Sequence, residues 1–251
     1  ITMKSFAGKT AVITGAGSGI GQALARALHA QGAHLALCDL RQTGLEATRA
    51  QLTNPALRVS LHGVDVSDAE AMQRTAGDIL AAHGAVDMLV NNAGITAMPC
   101  TFEEVSEADF RRVIDVNMWG VYYGMRVFLP HLKTRPEASI VTISSLAGKV
   151  GLYGYSPYAM SKFAVRGLSE VLQMELAGSP VGVLVVFPGG VKTNLIQYAA
   201  KDAGRSDEQQ GHAHQMFMRV ATLTPDRVAA RVLKAVQRGR RSLLLGPDAK
   251  L

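Results

Sequence analysis

Cysteine is scarce in this 251-residue chain: Cys38 and Cys100 are the only two, and they share no metal-ligand or redox spacing. That excludes a disulfide framework and a thiolate metal centre, and fits reduced thiols in a cytoplasmic protein. Long apolar runs are also lacking. None approaches the roughly 18 residues of a membrane span, so no membrane partner is expected. The N-terminus has no basic-then-apolar stretch, so secretion is not expected, and Ile1-Thr2 ahead of Met3 read as residues added before a natural start. Aromatics make up 6% of the chain. The net charge is +6, but the arginines are scattered at helix-surface spacing, and only Arg238-Gly239-Arg240-Arg241 clusters. With few aromatics between the basic residues, nucleic acid is not an expected partner. His212 and His214 form an H-x-H pair without an evident third ligand, so they read as surface histidines and no metal is expected. There is no repeat and no linker-like cluster among the nine prolines and 25 glycines. A 48% hydrophobic chain of this length fills one α/β domain, taken as 1–251.

What is present begins with Tyr158-Ala159-Met160-Ser161-Lys162. A tyrosine and a lysine four apart share one helix face. A free phenol is about one part in a thousand ionised at neutral pH, and a neighbouring ammonium lowers its pKa. Ser145 lies thirteen residues earlier, at the end of the apolar run 139–144. A bare Tyr-x-x-x-Lys also fits an ordinary amphipathic helix, so its weight comes from the rest of the chain.

That rest is an alternation of strands and helices. Thr10–Thr14 is a β-branched strand running into Gly15-Ala16-Gly17-Ser18-Gly19-Ile20-Gly21 and then a helical pattern over 22–31. Strand, glycine turn and helix, in that order, make a dinucleotide site: the glycines permit a sharp turn and close approach, and the helix N-terminus faces the phosphates. A second strand, 34–39, ends in Asp39, spaced to accept hydrogen bonds from the adenosine ribose. A carboxylate there repels a 2′-phosphate and favours NAD over NADP, although Arg41 is a mild signal the other way. Strands are expected at 57–62, 86–90, 139–144, 182–187 and 242–245. Asp65 is placed to bond the adenine amino group or, as a turn aspartate, to cap the next helix, and Ser67 with Glu70 reads as a capping box for a helix over 68–82. Asn91-Asn92-Ala93-Gly94 is a turn whose amides bridge strands and whose small side chains admit a cofactor. Ser106 caps a continuous helix over 107–133, in which Asn117 needs a hydrogen-bond partner. The Tyr158 helix runs to about 176. Residues 194–223, polar with an apolar tip at Met216-Phe217-Met218, read as a mobile lid. Thr224 and Pro225 start the last helix. The pattern predicts an α/β fold of the Rossmann type, a doubly wound parallel sheet of about seven strands with helices on both faces.

These motifs together resemble the short-chain dehydrogenase/reductase family, over about 8–246. The resemblance rests on Thr14-Gly15-x3-Gly19-Ile20-Gly21, Asp39, Asp65, Asn91-Asn92-Ala93-Gly94, Asn117, Ser144-Ser145, Tyr158-x3-Lys162 and Pro188-Gly189-x-Val191-x-Thr193. It implies catalytic roles for Asn117, Ser145, Tyr158 and Lys162, with Asn117 holding a water that links Lys162 to solvent. It implies cofactor contacts from Gly15, Ser18, Gly19, Ile20, Gly21, Asp39, Leu40, Asp65, Val66, Asn91, Ala93, Gly94, Tyr158, Lys162, Pro188, Gly189, Val191 and Thr193. Val191 would meet the nicotinamide carboxamide through its backbone, and Thr193 the phosphates. The implied activity is reversible NAD-dependent hydride transfer between a secondary alcohol and a ketone. An NADPH-dependent ketone reductase and a non-catalytic dinucleotide sensor are the alternatives. A pocket lined by Ala97, Met98, Leu146, Leu152, Tyr155 and the 216–218 tip, with no arginine clearly placed to pair a carboxylate, implies a neutral, fairly hydrophobic substrate. Apolar faces on helices 107–133 and 157–176 imply a homotetramer or a homodimer.

Overall fold

Short apolar runs with no polar face can be strands only if both faces are covered. In the computed structural model, which describes residues 3–246, they form one seven-stranded parallel sheet in the order β3-β2-β1-β4-β5-β6-β7. The strands are β1 Thr10–Thr14, β2 His34–Asp39, β3 Val59–Gly63, β4 Met88–Asn91, β5 Ala138–Ile143, β6 Val181–Pro188 and β7 Ser242–Leu245. Period-two alternation sends neighbouring residues of one strand into different layers. Ile13 and Leu37 pack with Leu24, Leu28 and Val232 on one face, while Val12 and Ala36 pack with Ile79, Phe128 and Val165 on the other. The first layer carries α1 Gly19–Ala30 and α9 Pro225–Gln237; the second carries α3 Ala69–His83, α5 Gly120–Leu132 and α6 Ser156–Glu175. Doubly wound α/β topology is therefore as the pattern predicts. Residues 1–2 and 247–251 lie outside the described residues, and with them the expectation about Ile1-Thr2.

Several local expectations need correction. Helix α2, Gln42–Arg49, and a 3₁₀ turn at Leu146–Gly148 were not anticipated. The cap of α3 is Asp68, which accepts from the Ala71 N–H, not Ser67. Ser67 instead donates both N–H and hydroxyl to Asp65 Oδ1, at 2.9 and 2.6 Å, in an Asx turn. That closes the chain one residue too early for Ser67 to reach the helix. The helix expected over 107–133 is interrupted. Ser106 caps α4 Glu107–Ile114, a π-helical turn follows at Asp115–Trp119, and α5 then begins. A π turn inserts one residue and swings Asn117 inward.

The order reverses between β1 and β4, which are neighbours in the sheet. Their connections diverge there and leave a crevice at the carboxyl ends of the strands.

Candidate active site

Two loops meet in that crevice because the side chain of Asn92 ties them. Its Nδ2 donates to the carbonyls of Thr14 and Gly15 at 2.9 and 3.0 Å, while Thr14 Oγ1 accepts from the N–H groups of Asn92 and Ala93. Gly15, at φ +64°, passes so close that a Cβ there would lie 2.8 Å from Ala93 Cα. A Cβ on Gly21 would lie 2.2 Å from the Gly15 carbonyl oxygen. Both positions therefore demand glycine for close approach. Ser18 makes no side-chain cap on α1, so the first-turn N–H groups of the helix are left for an anion.

The crevice is a cleft of about 870 Å³, the size of a ligand-binding site. Gly15, Ser18, Gly19, Ile20, Asp39, Leu40, Asp65 and Val66 line it, as do Ala93, Gly94, Ser145, Tyr158, Lys162, Pro188, Gly189, Val191 and Thr193. Asp39 is buried at the end of β2, its Oδ2 accepting from the Gly17 N–H and its Oδ1 from the Arg41 N–H, each at 2.9 Å. A carboxylate has about four acceptor positions, so two remain for hydroxyls.

Asn91 is a correction. It is buried, its amide faces α5 rather than the cleft, and a Cβ on Gly124 would lie 2.5 Å from its Oδ1. Period-two alternation at the end of β4 turns Asn92 toward β1 and Asn91 toward the helix. Gly21 likewise sits behind the wall, spacing helix from strand. The lining predicted at Ala97, Met98, Met216 and Met218 is not found there, whereas Leu146, Leu152, Tyr155 and Phe217 are. Arg111 and Arg112 of α4 also line the cleft, but both already pair with carboxylates of the chain, Arg111 with Glu107 and Arg112 with Asp109 and Asp202. Helical spacing from the Ser106 cap is the signal that could have placed them.

At the cleft's far end, β5 stops at Ile143 and delivers Ser144 and Ser145. Ser144 Oγ donates to the Lys162 carbonyl at 2.9 Å, pinning α6 to the strand end. Lys162 is 4% exposed and donates from Nζ to the Ile143 carbonyl at 3.0 Å, with Nζ 5.5 Å from the Tyr158 ring centroid. Burial lowers the Lys162 pKa to about 8. The Tyr158 phenol does not show the expected lowering. Burial pushes it up, a hydrogen bond with Ser145 pulls the other way, and nearby Tyr155 adds to the rise. The lysine faces the ring while its ammonium is engaged by a backbone carbonyl, so desolvation of the phenol wins.

Asn117 is fully buried in the π turn. Its Oδ1 accepts from the Ile95 N–H at 2.8 Å, and its Nδ2 donates to the Ile95 carbonyl at 2.9 Å and to Ser161 Oγ at 3.0 Å. Its amide is thus a brace, with one acceptor position left over for anything else. Asn117 and Lys162 both approach Gly94: a Cβ there would be 3.2 Å from Asn117 Oδ1 and 3.3 Å from Lys162 Nζ.

The segment 194–223 folds into α7 Leu195–Asp202 and α8 Asp207–Val220 beside the cleft. It leaves and rejoins the domain at one place, where Val191 pairs with Leu223.

Comparison with known proteins agrees with this architecture. Residues 9–204 match the family model described as short chain dehydrogenase. The chain is 40% identical over 250 residues to a Mycobacterium tuberculosis protein bearing the name oxidoreductase SadH, covering 99% of this chain and 90% of that one. It is 34% identical over 240 residues to dehydrogenase/reductase SDR family member 7B of Xenopus laevis, covering 93% and 72%. A crystal structure of a Burkholderia phymatum short chain dehydrogenase/reductase in complex with NAD superposes at TM-score 0.88, with 34% identity and coverage of 98% and 92%. The chain belongs to the short-chain dehydrogenase/reductase family and is an oxidoreductase of that family.

Proposed function

We propose that this oxidoreductase transfers hydride reversibly between NAD(H) and a neutral, fairly hydrophobic secondary alcohol or ketone. The observation that carries this is one continuous cleft with the glycine turn and Asp39 at one end and Ser145, Tyr158 and Lys162 at the other. The fit of a dinucleotide is read from the glycine cradle, where an added Cβ has no room, and from the uncapped start of α1. When bound, the nicotinamide supplies the hydride chemistry.

In this reading the chain's own residues do the rest. The α1 N-terminus and Thr193 hold the pyrophosphate, Asp39 holds the adenosine ribose, and the Val191 backbone meets the carboxamide. Tyr158 gives its proton to the carbonyl oxygen, or takes it in the oxidation direction. Its raised pKa keeps the phenol protonated at neutral pH, ready as an acid. Ser145 bonds the same oxygen and orients it. Lys162, at about 8, remains mostly charged at neutral pH and stabilises the phenolate as it forms. Asn117 holds Ser161, between Tyr158 and Lys162, in place.

Residues 194–223 act as the lid of a single domain. The exposed apolar side chains of Trp119 just before α5, Tyr122 on α5, and Met160, Phe163, Val171 and Met174 on α6 favour a homodimer or homotetramer. Arg41, 3.9 Å from Asp39, is the observation behind the second reading, an NADPH-dependent reductase. Parallel titrations with NADH and NADPH, followed by a screen of neutral ketones for NADH oxidation, test the proposal. Tighter NADH binding with turnover is expected; NADPH preference or absence of turnover on any ketone counts against it.

A further inference from the structure

Helix α7 reaches both walls of the cleft through side chains. On the β2 side, the Arg41 guanidinium carbon stands 3.6 Å from the centroid of the Tyr198 ring, over its face. On the opposite side, Arg112 of α4 donates to Asp202 Oδ2 at 2.5 Å and is steadied from its own helix by Asp109 at 3.2 Å. Tyr198 and Asp202 are four residues apart, one turn along the same face of α7. All four side chains, Arg41, Tyr198, Arg112 and Asp202, line the cleft. The inner side of α7 packs through Ile196, Ala199 and Ala200, and the whole segment is rooted at the single Val191–Leu223 pairing. A helix rooted at one place and fastened on two sides opens only when both fastenings let go.

We propose that the Arg41–Tyr198 stack and the Arg112–Asp202 ion pair fasten α7 across the bound dinucleotide and set how fast it leaves. The inference rests on the nicotinamide-dinucleotide reading above. It also gives Arg41 a use other than binding a 2′-phosphate, because its cation is taken up by a ring of the lid. Both fastenings are partly exposed, with side-chain exposures of 45% for Arg41, 36% for Arg112 and 39% for Asp202, so each is individually weak. A partly exposed cation–π contact or ion pair corresponds to about a two- to five-fold change in rate. Their effects multiply, because neither touches the other's partner.

The test is stopped-flow displacement of NADH from the intact protein, read by its bound fluorescence and not by turnover. Tyr198→Ala and Asp202→Ala each speed release about two- to five-fold, and the double variant about ten-fold. Tyr198→Phe keeps the ring face and the parent rate of release. Added KCl speeds release from the parent and from Tyr198→Ala, but not from Asp202→Ala, since only the ion pair is screened. Exchanging the charges, Arg112→Asp with Asp202→Arg, restores slower release relative to Asp202→Ala. A double variant that binds NADH and releases it at the parent rate overturns the proposal. A parent protein that binds no NADH overturns the cofactor reading beneath it.

Discussion

Asn117 donates to Ser161 Oγ across 3.0 Å, and Ser161 in turn donates to the Tyr158 carbonyl at 2.7 Å. The π turn between α4 and α5 is thereby bonded to the helix that carries Tyr158 and Lys162. A buried amide that satisfies a backbone N–H, a backbone carbonyl and a hydroxyl at once holds three elements together.

Asn117→Ala leaves the Ile95 N–H, the Ile95 carbonyl and Ser161 short of a partner in a buried place. The expected loss is about 3 kcal/mol of unfolding free energy, read from urea denaturation. Ser161→Ala removes one of those bonds and costs about 1 kcal/mol. Equal losses in the two variants would show that the amide does not work as a brace.

Tyr158→Phe removes the proposed proton donor and keeps the ring. NADH affinity is expected to stay within about two-fold of the parent, while turnover falls about 10²- to 10⁴-fold. Fluorescence titration beside steady-state rates separates the two quantities. Near-parent turnover in this variant on a good substrate would end the assignment of Tyr158.

Gly21→Ala puts a methyl 2.2 Å from the Gly15 carbonyl and 2.6 Å from Asn92 Nδ2. Backbone cannot move aside as a flexible side chain can, so α1 must shift away from β1. Overpacking of this kind costs about 1–3 kcal/mol. The tilted helix end should also weaken NADH binding by at least ten-fold, since the proposed phosphate site is that uncapped N-terminus. Calorimetric melting and a binding titration check both halves.

Acid sensitivity should come from the β3 edge, away from the cleft. His83 and His62 both bond Ser60 Oγ, at 2.8 and 2.7 Å. Burial first, then the positive charges of Arg58, His62 and His34, lower the His83 pKa from 6.5 to about 4. The unfolded chain therefore binds this proton at a higher pH than the folded one. Stability is constant with respect to His83 above about pH 6.5 and falls as pH drops from there to about 4. Urea midpoints measured across that window should decline in the parent and decline less in His83→Gln. Parallel slopes would place the acid sensitivity elsewhere.

How much was legible in advance depended on whether the signal was local. The glycine turn, Asp39, the strand periodicity and the Tyr158–Lys162 spacing are set by neighbours in the chain, and each was found where the pattern put it. Helix boundaries failed where two elements compete for the same residues. Asp68 rather than Ser67 caps α3 because Ser67 is already turned back onto Asp65. The π turn at Asp115–Trp119 has no sequence mark, since it is the packing of Asn117 against Ile95 and Ser161 that selects it.

The sequence by itself determined the parallel sheet, the glycine-lined crevice and the identity of the side chains gathered at its far end, because backbone freedom and hydrophobic period act over a few residues. Only the tertiary structure decided which of Asn91 and Asn92 joins the loops, that burial outweighs the Ser145 hydrogen bond at the phenol of Tyr158, and that Arg41 and Arg112 reach α7. Those outcomes depend on desolvation and on contacts between residues as far apart as Arg41 and Tyr198, and distance in the chain carries no trace of either.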